Sequence, residues 1–249
     1  MKTLAVVGAG PGVGMAVAER FGREGFRVAL LARSRDKLEG CVAKLERAGI
    51  EAAAFPADVL DRPGLARALQ QVRSAFGGVD VLEYSPTPTP DTLCTPRHIT
   101  VESAQLQFEY GVLGAIEAVR AVLPGMLSRG DGALLFTSAA SAKMPVPFSS
   151  NFAIAAAGVR SYAYTLHQDL APQGIYAGIV LIAGLIDKAS APDPSRKATP
   201  ANDKGLSLIP AREIGDLFWD LTCKRDRIEA IAGDMRAVER LAGVSAGGA

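Results

Sequence analysis

The stretch Leu4 to Gly14, LAVVGAGPGVG, restricts the fold more than any other part of this chain. Leu4–Val7 is an apolar run suited to a buried parallel strand, and it breaks at once into four glycines among seven residues. Helical spacing starts at Val13 and continues through Ala16, Val17, Ala18 and Phe21 to Gly25. Strand, glycine turn and helix, in that order, make a phosphate-binding turn. The first amides of a helix lack intrahelical partners and carry partial positive charge, so they favour an anion. Glycine removes the Cβ that would hold a pyrophosphate off the backbone, and Pro11 fixes φ within the turn. The plain alternative is a turn that only packs a helix on a sheet.

The same rhythm continues downstream. Arg27–Leu31 (RVALL) reads as a second strand, Asp36–Ala48 as a helix stopped by Gly49, and Glu51–Phe55 as a third strand. Arg62–Phe76 reads as a helix ending at Gly77-Gly78, and Val79–Glu83 as a fourth strand. Ser103–Ser128 has helical spacing, Gly132–Thr137 (GALLFT) is a fifth strand ending at Ser138, and Asn151–Leu170 is another long helix. A sixth strand at Ile175–Ile182, a helix from Ala211 to about Cys223 and a short strand at Ile228–Ala232 complete the pattern. This alternation predicts an α/β protein: a single Rossmann-type doubly wound parallel sheet of about seven strands, with helices on both faces. A ligand then sits outside the carboxyl ends of the strands, beside the first one. The expectation is one domain over residues 1–249.

Tyr84–Pro96 (YSPTPTPDTLCTP) is too proline-rich for helix or central strand and reads as a loop lining the pocket. Residues 188–205, polar with three prolines, read as a mobile lid, and residues 234–249 as a C-terminal tail with frayed last residues. Ala153, Ala155, Ala156, Ala157 and Gly158 give the long helix a small-residue face, which fits either a partner subunit or close packing within the chain. A net charge of +1 argues against a nucleic-acid partner. Cys41, Cys94 and Cys223 are scattered and odd in number, as in reduced cytosolic proteins, and point to neither a disulfide framework nor a metal site. No apolar stretch reads as a signal peptide or a membrane span, so a cytoplasmic protein without a membrane partner is expected.

After the second strand, where many dinucleotide-binding folds place an acid for the ribose hydroxyls, stand Ala32 and Arg33. A guanidinium suits a 2′-phosphate, which favours NADP(H) over NAD(H). At this point the chain resembles the short-chain dehydrogenase/reductase family, from its first residue to about Gly233. The family's Thr-Gly-x-x-x-Gly-x-Gly pattern falls on Val7, Gly8, Gly12 and Gly14, with valine replacing threonine. Asp58-Val59 matches its adenine-binding pair, and Asp80-Val81-Leu82 matches the strand leading into its Asn-Asn-Ala-Gly motif. The resemblance implies a cofactor site of Gly8, Gly12, Val13, Gly14, Arg33, Ser34, Asp58, Val59, Ser85 and Pro86. It also implies a small-molecule substrate and a homodimer or homotetramer built through the long helices.

The family's catalytic set is Asn, Ser, Tyr and Lys, and most of it is missing. Ser138 stands where the serine belongs; thirteen residues on, Asn151 takes the tyrosine's place, and Ala155 the lysine's. The helix asparagine aligns with Gly111, and the Asn-Asn-Ala-Gly motif has become Tyr84-Ser85-Pro86-Thr87. An amide cannot act as an acid near neutral pH. Tyr84, His98 and Lys143 are the replacement proton donors to consider; Tyr162 and Tyr164 lie too far along the helix, and His167 reads as a surface residue. Three functions remain open. One is an NADP(H)-dependent oxidoreductase for a substrate needing no tyrosine acid, such as an iminium or an activated C=C bond. The others are a non-catalytic NADP(H)-binding sensor or silent subunit, and a lyase, isomerase or cyclase on the same scaffold.

Overall fold

The structure, a computed structural model, describes residues 1–87, 90–187 and 205–243. Seven parallel strands form its central sheet: β1 (Thr3–Val7), β2 (Arg27–Leu31), β3 (Ala52–Ala54), β4 (Val81–Tyr84), β5 (Gly132–Ala139), β6 (Ile175–Ala183) and β9 (Glu229–Gly233). Their spatial order is β3-β2-β1-β4-β5-β6-β9, so the chain reverses its direction of travel at β1, the switch point beside which a ligand is expected. A second, two-stranded sheet pairs β7 (Leu185–Asp187) with β8 (Leu208–Pro210), an element with no counterpart in the sequence expectations.

The helices are α1 (Val13–Arg23), α2 (Arg35–Arg47), α3 (Arg62–Phe76), α4 (Val101–Phe108), α5 (Gly114–Arg129), α6 (Ser150–Leu170), α7 (Ala211–Lys224) and α8 (Met235–Leu241). They cover both faces of the sheet, because its central strands are apolar on both sides. On one face α3, α5 and α6 bury Leu65, Leu69, Val119, Met126, Val159 and Ala163. On the other, α1, α2 and α7 bury Val17, Phe21, Leu38, Leu45, Ile214 and Phe218. α8 forms inside the segment expected to be tail, and Ala237 and Val238 pack there with Ala140, Val146 and Leu206. Residues 188–204 of the expected lid lie outside the described residues.

The expected helix over Ser103–Ser128 is in fact α4, a π-helical turn at Glu109–Leu113, and α5. Together Val101–Arg129 is long and apolar enough to cross a membrane by length and composition, yet Ala115, Val119, Val122 and Met126 pack on the sheet. Most of the small residues of α6 pack within the chain, while Ala157 is exposed. Ala153, Ala155 and Ala156 are buried, and a Cβ on Gly158 would lie 2.9 Å from Val112 of the π-turn.

Candidate active site

β1 delivers Gly8 at φ +93°, a left-handed conformation in which a Cβ would lie 2.6 Å from the Pro86 nitrogen. Only glycine fits, so the turn presses against the end of β4 as the phosphate-binding reading requires. Side chains cap α2 (Ser34), α3 (Asp61) and α4 (Thr100), whereas α1 begins at Gly12 with no side-chain cap. The Met15 amide turns back to the Gly10 carbonyl at 3.1 Å, and no capping side chain competes for the amides before it.

A groove of about 450 Å³ past the ends of β2 and β3, along α3, is lined by Arg33, Asp58, Asp61 and Arg67 among others. Arg33 is exposed there. Arg67 lies 3.6 Å from Asp61, and Asp58 accepts a hydrogen bond from the Leu60 amide at 3.0 Å. The groove thus holds two guanidiniums and two carboxylates, with Arg67 facing Asp61. Three of the expected cofactor residues have other employment. The Ser34 hydroxyl accepts from the Lys37 amide at 3.4 Å, Val59 is core, and the Ser85 hydroxyl donates to Glu83 at 3.0 Å.

A second cavity, of about 330 Å³, opens past the strand ends, bounded by Val13, Pro86, Thr137, Ser138, Phe152 and Ile186 among others. Its walls are mainly apolar. Among the described residues that line it, Tyr84 alone carries an ionisable side chain. Two buried polar atoms on its wall, Gln107 Oε1 and Ser141 Oγ, have no hydrogen-bond partner among the described residues. Such atoms cost free energy unless a ligand or water satisfies them.

The proton-handling positions need correction. Asn151 does not face this cavity. It is fully buried, its amide nitrogen donates to the Thr92 carbonyl at 2.8 Å, and its oxygen accepts from the Cys94 amide at 3.1 Å. The residue that faces the cavity from the first turn of α6 is Phe152, one position further on. Ala155 and Ala156 both reach the cavity, and a Cβ on Gly111 would lie 3.9 Å from that of Ala155. Methyl groups and glycine thus meet on this wall of the cavity. Ser138 does line the cavity, with its hydroxyl donating to the Ala156 carbonyl at 3.3 Å.

None of the three replacement donors is free to act. The Tyr84 hydroxyl donates to the Tyr110 carbonyl beneath α5, and burial pushes its pKa far up. His98 is exposed and bonded to Thr95 at 2.9 Å. Lys143 does not line the cavity beside Ala155 but pairs with Glu229 at 3.1 Å, where Arg160 and Tyr164 of α6 also converge. His167, expected at the surface, is partly buried, with Nδ1 2.9 Å from the Ala177 carbonyl and its ring edge-on to Tyr176.

What sequence reasoning missed is Glu83. It is fully buried in β4, between Val6 of β1 and Leu135 of β5. Ser85 and Thr137 donate to its two oxygens, each at 3.0 Å. Burial raises its pKa from an ordinary 4.5 to about 8, against the smaller opposing pull of the two hydroxyls. The signal was present: an acid in the central strand VLEY, where a parallel sheet demands apolar residues on both faces.

A parallel sheet whose glycine turn meets an uncapped helix defines the class of dinucleotide-binding α/β proteins. A family model described as short chain dehydrogenase matches residues 2–192, and the chain belongs to that family. It is 28% identical over 216 residues to the 3-oxoacyl-(acyl-carrier-protein) reductase FabG of Staphylococcus epidermidis, covering 86% of each chain. Among solved structures it is similar to L-sorbose reductase from Gluconobacter frateurii, complexed with NADPH and L-sorbose. That match has TM-score 0.78 and 23% identity, over 93% of this chain and 96% of that one. It is also similar to a short chain oxidoreductase from Pseudomonas aeruginosa described as containing an atypical catalytic center. There the TM-score is 0.82 at 21% identity, over 99% and 98% of the two chains.

Proposed function

We propose that this protein is an NADP(H)-dependent oxidoreductase that reduces a largely apolar small molecule without a tyrosine acid, at an iminium or an activated C=C bond. One observation carries the reading: the glycine turn, with Gly8 at positive φ against Pro86, leads into Val13 and Pro86 on the wall of a cavity whose described lining has no ionisable side chain except Tyr84. Gly8, Gly12, Val13 and Gly14 would hold the pyrophosphate, Arg33 the 2′-phosphate, Asp58 the adenosine, and Pro86 would bound the cofactor's other side. NADP(H) is favoured over NAD(H) by Arg33 and by relatives whose structures contain NADPH. When bound, the reduced nicotinamide supplies a hydride.

The chain's own residues bind and orient the substrate. Ser138 polarises the accepting group, and the unsatisfied Gln107 oxygen accepts from a donor on the substrate. Three free cysteines agree with a cytoplasmic location. Exposed Leu127 on α5 and Ile154 on α6 suit burial in a homodimer or homotetramer. A second reading, a silent NADP(H)-binding subunit or sensor, draws on Asn151 being committed to a loop rather than to chemistry. The test is NADPH titration by fluorescence, followed by NADPH consumption with ketones, imines and enones. Turnover that Ser138→Ala lowers about tenfold or more supports the enzyme, while binding without turnover supports the second reading.

A further inference from the structure

We infer that Glu83 and Thr137 form a proton relay into the cavity, so that the substrate is one whose reduction leaves an anion, an activated C=C bond rather than an iminium. This rests on the oxidoreductase reading and adds the missing proton source. Thr137 follows Leu135 on the face of β5 that Glu83 shares, lines the cavity, and bonds the buried carboxyl at 3.0 Å. It is the bridge between the cavity and an acid that no solvent reaches.

A neutral carboxyl must itself donate one proton, and its two neighbours are hydroxyls that each donate and accept. With the Glu83 proton given to Thr137, the threonine hydroxyl is released to donate into the cavity. Burial keeps the acid neutral near neutral pH. No charged group takes part in setting its acidity: the described neighbours on that face are Val6 of β1, Leu135 of β5 and the apolar side chains of α1 and α7.

Hydride adds to the β-carbon of a conjugated carbonyl compound, and the C=C electron pair moves to give an enolate. The α-carbon takes the Thr137 hydroxyl proton as Thr137 takes the proton of Glu83. Glu83 is left as a carboxylate accepting from Thr137 and Ser85, and after product leaves a solvent proton taken up by the Thr137 hydroxyl in the cavity passes on to it. Iminium reduction gives a neutral amine and needs no such proton.

The experiment compares wild type, Glu83→Gln, Thr137→Val and Thr137→Ser, with NADPH binding by fluorescence as the folding control. Each is assayed on an enone and a cyclic iminium. The infrared spectrum, wild type minus Glu83→Gln without cofactor, reads the carboxyl directly. Expected are a protonated-carboxyl band at neutral pH and an enone-to-iminium rate ratio lowered about 10²–10⁴-fold by Glu83→Gln and Thr137→Val. Thr137→Ser restores the ratio. Equal loss on both substrates, no loss, turnover of the iminium alone, or an ionised carboxyl at neutral pH would overturn the relay. Wild type that binds NADPH but consumes it with neither substrate overturns the oxidoreductase reading itself.

Discussion

The two ends of this site have met different fates. At the β1–α1 turn the features proposed to hold the pyrophosphate are built into backbone geometry, Gly8 at positive φ against Pro86 and a helix with no side-chain cap, and only Arg33 adds a side chain. At the β5–α6 end the backbone is equally well ordered, but the side chains facing one another are Gly111, Phe152, Ala155 and Ala156. Backbone-built sites are tied to the fold, since the turn that binds phosphate also joins strand to helix. Side-chain chemistry can be exchanged without disturbing the sheet, because function resides in the site grafted onto it.

The largest effect should come from rebuilding the second region. Phe152→Tyr with Ala156→Lys returns an acid and a cation to cavity-facing positions and should raise ketone reduction about 10²–10⁴-fold, measured as NADPH consumption. Asn151→Tyr with Ala155→Lys should gain nothing, because residue 151 points into the loop. Equal gain from both pairs would break the comparison. Next, Gly8→Val should destroy the first region: left-handed strain of about 1–2 kcal/mol adds to a backbone clash that cannot relax. NADPH binding should vanish, and thermal unfolding should move down.

Arg33→Ala should weaken NADPH about 10–100-fold in a fluorescence titration while leaving NADH unchanged, the magnitude expected for charge-assisted hydrogen bonds. Asn151→Ala should cost about 1–3 kcal/mol in denaturant unfolding, since it strands the Thr92 carbonyl and Cys94 amide, with NADPH affinity unmoved. A further effect concerns pH. Between the ordinary 4.5 and about 8 the folded chain keeps a Glu83 proton that the unfolded chain has released. Stability therefore falls as pH rises through that window and levels off above it. Glu83→Gln should flatten this component of the pH–stability curve.

Most of the fold was legible because its signals are local. The apolar strands, the Gly8–Gly14 turn and the boundaries of α3 (Arg62–Phe76) follow from spacing, caps and glycine stops. The cavity was less so. Thirteen residues counted from Ser138 reach Asn151, but the 3₁₀ turns at Ala140–Ala142 and Pro147–Ser149 carry the chain so that Phe152 faces inward. A polar residue in the counted place looked functional, and only tertiary contacts reveal that it ties down a loop. β7 and β8 were invisible because each is three residues long and their pairing spans residues between Asp187 and Leu208. Glu83 was written in plain view, but its meaning depends on Thr137, 54 residues away.

The proposed nucleotide cradle should bind NADP(H) although Asn151 and Ala155 stand in the counted tyrosine and lysine places. Parallel titration of the wild-type protein with NADPH and NADH, followed by fluorescence, tests it most directly. Saturable NADPH binding about tenfold or more tighter than NADH is the predicted result. No saturable binding of either nucleotide, or equal affinity for both, would contradict it.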